Sequence, residues 1–349
     1  MLPRHGNALP LPQWVIYIEA DFGAISHGSE PMSEARPGQV ADAVSGNWVD
    51  KWAPEAARPY LRLSRADRPI GTWLLLLPCW WGLTLAVAAD PAAATAYDAW
   101  IFIGCALGAL LMRGAGCTWN DITDRDFDGA VARTASRPIP SGQVTVKGAV
   151  IWIAVQALLA FAILLTFNWL AIALGVASLS LVAIYPFAKR FTWWPQVFLG
   201  LAFNWGALLA WVAHTGSLTL APVLLYLGGI SWTLFYDTIY AHQDREDDAL
   251  IGIKSTARLF GENTAQWLRG FLVATVLLIG AGVLVALVPG ENLIALMVAF
   301  IGVWAMGWHL SWQLIQLNIN DGANCMKLFR SNRDAGLIPV LFFAAATLV

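Results

Sequence analysis

Apolar runs long enough to cross a bilayer recur along this chain, and its basic residues fall only between every second pair of them. A helix needs about 20 mostly apolar residues to span the hydrocarbon core. Such runs lie near 70–89, 100–119, 149–167, 170–188, 195–213, 219–240, 267–288 and 292–312, with a shorter ninth from about 335 to the last residue, Val349. All 21 Lys and Arg precede the first run, sit at the inner end of a run, or fall in the loops after runs 2, 4, 6 and 8; the loops after runs 1, 3, 5 and 7 have none. Cytoplasmic loops are the ones enriched in Lys and Arg. A miscounted helix would shift the phase of this alternation, and no shift occurs. The pattern predicts an all-α polytopic membrane protein of nine transmembrane helices, amino terminus cytoplasmic and carboxyl terminus outside.

Composition agrees and removes other classes. Charged residues make up 13% of the chain, against about 25% in soluble domains. A net charge of −2, with no Lys/Arg run interleaved with aromatics, excludes a nucleic-acid groove. Cys79, Cys105, Cys117 and Cys325 show no CxxC or Cys/His spacing and read as small buried side chains. Residues 1–57 form a polar extension expected to be disordered, ahead of a membrane domain at 58–349. Its one apolar island, "WVIYI" at 14–18, is too short for a signal-peptide core, and Glu19, Asp21, Glu30 and Glu34 argue against a mitochondrial transit peptide. Met32, opening "MSEARPGQ", is an alternative start. These features place the chain in a bacterial inner membrane.

Against this background two acidic stretches stand out, "NDITDRDFDGAVART" at 120–134 and "YDTIYAHQDREDD" at 236–248. Four spans separate them, so both face the same side of the bilayer. At 100° per residue, Asn120, Asp121, Asp124 and Asp128 share an arc of about 100° while Asp126 points away. Asp237, Tyr240, Asp244 and Asp248 form a second stripe. One reading is solvated loop acids balanced by Arg113, Arg125, Arg133, Arg137, Arg245 and Lys254. The other is a cation site. Clustered carboxylates repel unless a cation lies among them, and Mg²⁺ takes one or two carboxylates while leaving positions for phosphate. No His/Cys/Glu set suits zinc, and no Walker loop suits a nucleoside triphosphate. Hard oxygen ligands amid Arg and Lys at a membrane surface describe a magnesium-bound lipid diphosphate, with ionisation as its chemistry. Magnesium and cationic side chains would stabilise the leaving diphosphate, and aromatic faces would hold an allylic cation.

The motifs resemble those of the UbiA superfamily of intramembrane prenyltransferases from about residue 58 onward. NDxxDxxxD stands as Asn120, Asp121, Asp124 and Asp128, followed by "RTASRPIPSG"; a DxxxD core stands as Asp244 and Asp248; and YxxxK stands as Tyr185 and Lys189 in "YPFAKRFTWWPQ". The "YDTIYA", "GIKSTA" and "YPFAKR" contexts favour the branch acting on 4-hydroxybenzoate. The resemblance implies nine helices around a central cavity and Mg²⁺-dependent transfer of a polyprenyl group from polyprenyl diphosphate to the ring carbon ortho to the hydroxyl, in ubiquinone biosynthesis. It implies Asn120, Asp124, Asp128, Asp244 and Asp248 as ligands of the metal-diphosphate, Tyr185 and Lys189 on the phosphates, and Arg190 on the benzoate carboxylate. Asp121, Asp237, Tyr240, Lys254 and Arg137 are further substrate-binding candidates. Lys189 and Arg190 also satisfy the charge rule for loops, Tyr185 suits an interfacial belt, and Arg137 beside Pro138 suits a fixed loop. The bilayer is the remaining partner; no obligate protein partner is evident. Other acceptors used within the superfamily (haem, homogentisate, naphthoate) are the near alternative, and a divalent-cation transporter the remote one. His214 and His309, with no evident partners, are unassigned.

Overall fold

The structure, a computed structural model, describes residues 46–130, 134–250 and 252–349. The disorder expected of the first 45 residues and the start at Met32 fall outside these.

Nine helices of 19 residues or more follow one another among the described residues, and no strand is present: α1 (Ile70–Ala89), α2 (Ala96–Thr123), α3 (Val146–Leu164), α4 (Trp169–Phe191), α5 (Pro195–Thr215), α6 (Leu220–Ala241), α7 (Thr264–Leu287), α8 (Leu293–Gln316) and α9 (Gly322–Ala346). Seven helical stretches are long and apolar enough to cross a membrane; α6 and α9 are long but less apolar. The reason is where they sit. Helix α6 packs on α5, α7 and α9, and α9 on α1, α6 and α8, so a less apolar sequence meets protein rather than lipid. Helices α3 and α4 turn most of their surface outward and are correspondingly apolar.

The last apolar run is the C-terminal part of a 25-residue helix that starts at Gly322. Its charged inner half hid the true length, because Asn332, fully buried, is satisfied inside the protein. Asn332 donates to Gln313 Oε1 (3.0 Å) and accepts from the Trp232 indole (2.9 Å). One turn on, the Trp81 indole donates to the Gly336 carbonyl at 2.7 Å. These bonds peg α9 to α1, α6 and α8. Close backbone approach does the same between α1 and α5, where a Cβ on Gly82 would collide with the Ala207 carbonyl.

Folded chain also begins before the boundary at 57. Asn47 caps a short helix at Trp48–Trp52, Asp50 pairs with Arg62 at 2.7 Å, and the Trp48 indole donates to Ala66 O. The unassigned histidines have partners. His214 Nδ1 lies 2.6 Å from Asp98 Oδ1 at the outer ends of α5 and α2, and His309 Nδ1 lies 3.1 Å from Gln313 Nε2.

Gly82→Val is expected to cost about 3 kcal/mol or more, since two backbones must separate. Gly270→Ala, with open space at its Cβ, should stay within about 0.5 kcal/mol of wild type. Thermal denaturation in detergent compares them.

Candidate functional site

Helix α2 ends at Thr123, and Asp124 leaves the helical region as its C-cap; a short helix, Arg125–Ala130, then resumes. The break does not lose the phase, because Asp128 N donates to Asp124 O at 2.8 Å. The first acidic stretch therefore keeps Asp124 and Asp128 one turn apart, both buried, while the Asp126 side chain is 85% exposed and pairs with its neighbour Arg125.

Each acid of the stripe has a different nearest cation, with Arg137 also 3.6 Å from Asp121. Asp121, fully buried, is held by both terminal nitrogens of Arg65 at 3.0 and 2.6 Å. Asp124 takes Lys189 Nζ at 2.5 Å and Asn120 Nδ2 at 3.0 Å on one oxygen, with Arg190 Nη2 at 3.5 Å from the other. Asp128 pairs with Arg137 at 2.7 Å. The spacing places these acids on one face but does not give their partners: Asp121 is committed to a planar, two-pronged ion pair. Arg65 escaped the sequence reading. It adopts φ 55°, a left-handed conformation that nothing marks for a non-glycine residue and that costs on the order of 1–3 kcal/mol.

The YxxxK element joins the two stretches. Lys189 sends its ammonium to Asp124, while its carbonyl accepts from Lys254 N at 3.2 Å, on the segment that follows Asp244 and Asp248. One turn earlier, half-buried Tyr185 senses the charges of both Asp237 and Asp124. Asp237 lies near Gln196 and within charge range of Arg113 and Asp244, and Gln196 Oε1 takes Thr256 N at 3.2 Å. Asp248 uses its carbonyl to stop the following loop, accepting Ile253 N at 2.9 Å.

The remaining candidates lie around this cluster. Lys254 Nζ donates to Phe191 O and lies over the Trp193 ring; Tyr240 packs against Phe329 with the rings tilted by 43°. Arg190 sits at the rim, donating to Thr123 O and lying over Phe127 and Phe187. Deeper in, Arg113 presses against Gly71 and over Phe203, with its Nε buried without a hydrogen-bond partner. Loop balance was the only role its sequence context suggested. His242, buried within the second stretch, is pushed down to about 4 by burial and by Arg245, so it stays neutral and adds no charge next to Asp244.

Among the described residues no three His, Cys, Asp or Glu side chains converge as a ready metal cage. The donor set nonetheless fits a hard cation, since it is all oxygen. Burial, reinforced by Asp121 and Asp124, also holds the Asp128 carboxyl above its ordinary range despite Arg137. Its ionised form is left undercompensated where a cation would sit.

Fold and site together define a helical membrane protein with a buried acid-and-base cluster at one end of its bundle. The description of the UbiA prenyltransferase family matches residues 75–333, and the chain belongs to that family. It is 49% identical to the rat protein named 4-hydroxybenzoate polyprenyltransferase, mitochondrial, over 88% of this chain and 79% of that one. The human protein of the same name is 49% identical over 95% and 88%. A UbiA homologue from Archaeoglobus fulgidus, solved bound to GPP and Mg²⁺, shares the fold at TM-score 0.62 and 21% identity, covering 83% of this chain and 100% of that one. These relatives correct one expectation. The curated ones are mitochondrial, which overturns a bacterial inner membrane. Charge asymmetry between loops reports sidedness alone, so it could not tell one membrane from another.

The raised Asp128 carboxyl yields a prediction. Its contribution to stability is present below the ordinary carboxylate range and is lost as pH rises through its raised value. Asp128→Asn should therefore melt above wild type at pH 7 without divalent cation, and the gap should close as pH falls into the carboxyl range. A variant melting below wild type at pH 7 would contradict this.

Proposed function

We propose that the chain transfers a polyprenyl group from a polyprenyl diphosphate to the ring carbon ortho to the hydroxyl of 4-hydroxybenzoate, releasing diphosphate, in a mitochondrial membrane. Nine spans surround the central cavity in this reading. The observation that carries it is the meeting of three motifs at Lys189, whose ammonium reaches Asp124 and whose carbonyl takes the segment after Asp248. The names and near-half identity of the relatives support the acceptor.

Asn120, Asp124, Asp128, Asp244 and Asp248 would hold magnesium with the diphosphate. Bound there, the metal supplies neutralisation of the charge growing on the leaving group. Lys189 adds a mobile ammonium that can exchange Asp124 for a phosphate oxygen, and Arg137 and Lys254 line the approach. Tyr185 lies one turn below Lys189, where its ring face can steady the allylic cation. The acceptor ring then forms the new carbon–carbon bond and gives up its proton. Two guanidiniums are available to the acceptor's carboxylate. Arg190 stands at the entrance, and Arg113 lies deeper with a donor to spare. A planar two-pronged guanidinium suits a carboxylate better than an ammonium does.

Membranes carrying the protein should prenylate labelled 4-hydroxybenzoate with a polyprenyl diphosphate and Mg²⁺, and lose activity on chelation. Turnover of haem, homogentisate or a naphthoate instead, or metal flux into liposomes with no transfer, would replace the assignment.

Asp124→Ala and Asp244→Ala should each lower turnover about 100-fold or more while the protein stays folded. Arg113→Lys should raise KM for the acid about tenfold with little change for the donor. Arg190→Ala should affect both substrates, because Arg190 also braces Asp124.

A further inference from the structure

Two cations lie over one ring in the turn between α4 and α5, at the end of the bundle that carries the basic loops. Lys254 Nζ is 5.9 Å and Arg258 Cζ 5.3 Å from the centre of the Trp193 ring. Their side-chain hydrogen bonds go to backbone carbonyls: Lys254 Nζ donates to Phe191 O at 3.3 Å, and Arg258 Nη1 donates to Ile253 O and, at 3.3 Å, to Asp248 O. Among the described residues no carboxylate pairs with either, whereas Arg62, Arg65, Arg68, Arg137 and Lys189 each meet an acid. Carbonyls and a ring face attract a cation but leave its charge in place. The surroundings are those of a membrane surface. Phe191, Leu250, Leu259 and Trp267 are exposed, and Trp194 packs edge-on against Phe260 and Trp267 at 5.3 and 5.7 Å. Tryptophans gather where a bilayer meets water, and Trp193, Trp194 and Trp267 form such a belt here.

We propose that Lys254, Arg258 and Trp193 form a headgroup site for an anionic phospholipid of the surrounding bilayer, with its phosphate between the two cations and its acyl chains against the exposed apolar side chains. Charge selects that ligand. Basic residues at a membrane surface attract anionic lipids, and two cations without a paired acid disfavour a headgroup that brings its own choline cation. A magnesium diphosphate takes carboxylates as well as cations, so it suits the Asp124 cluster and not Trp193. Occupancy reaches that cluster through the backbone. Lys254 N donates to Lys189 O, and Arg258 holds the Asp248 carbonyl, so a phosphate on the two cations steadies the segment that joins the acidic stretches. The binding site is independent of the transferase reading, whereas its effect on turnover rests on that reading.

Native mass spectrometry of the full chain in detergent reads binding without turnover. The wild type should retain added dioleoylphosphatidylglycerol in preference to dioleoylphosphatidylcholine. Arg258→Gln should weaken association of the anionic lipid about fivefold, the contribution of one basic residue at an anionic surface, and leave the zwitterionic lipid unchanged. In nanodiscs of phosphatidylcholine, adding phosphatidylglycerol should raise prenylation of 4-hydroxybenzoate, and Arg258→Gln should flatten that rise. Because Arg258 also ties the Asp248 carbonyl, a merely structural role would lower turnover by the same factor in both lipids and leave the lipid adducts as in wild type; that result overturns the proposal. Trp193→Leu, which removes the ring beneath both cations, is the companion variant should Arg258→Gln not fold, and it should weaken the anionic adduct in the same sense. Equal retention of the two lipids by the wild type also overturns the proposal. So does displacement of phosphatidylglycerol by geranyl diphosphate without Mg²⁺, which would give the two cations to the donor. Failure of the transferase reading looks different: no lipid would support prenylation, while the adducts and their loss in Arg258→Gln would still appear.

Discussion

The structure turns on Lys189. Its side chain reaches Asp124 at the end of α2, and its backbone carbonyl takes Lys254 N beyond α6. Two acidic stretches more than a hundred residues apart are thereby held to one helix end. A lysine suits that post because its ammonium is a compact, rotatable charge on a flexible stem, able to trade a carboxylate for a phosphate without moving the backbone. The backbone contact needs no such freedom, and the two functions are separated within one residue.

Beneath Lys189 the charges are sorted by rigidity. Arg65 and Asp121 form a buried two-pronged pair whose disruption would strand a charge at a cost of about 3–5 kcal/mol. That cost explains the tolerance of a left-handed arginine. The pair fixes the inner end of α2 and leaves Asp124, held by Lys189, Asn120 and Arg190, and Asp128, held by Arg137, to respond to a ligand. An undercompensated Asp128 is a stability cost placed where binding would relieve it, as functional sites commonly arrange.

What could be read from the chain follows the same physics. Lipid-facing helices such as α3 and α4 must be apolar along their length, so runs 149–167 and 170–188 announced them. The first half of α9 was illegible because Asn332 and Gln313 satisfy each other across helices, a pairing that no local pattern records. Helical phase correctly turned Asp126 outward, since phase survives the C-cap at Asp124. It could not show that Asp121 would be taken by Arg65, or that Arg113 would carry a spare buried donor, because both depend on side chains brought in from other segments. The loops carry an alternation of charge; the identity of the membrane is not written there.

The same lipid-facing pair shows where the bundle draws its stability. Here α1 and α5 carry the close contact, through Gly82 and the Ala207 backbone, and α6 packs on α5, α7 and α9 while α9 packs on α1, α6 and α8. Stability is thus concentrated on the side away from α3 and α4. Those two helices can stand apart because each satisfies its own backbone and the bilayer solvates their side chains at no cost. A loosely closed wall is therefore compatible with a stable membrane protein, where in water the same exposed apolar seam would be an aggregation site.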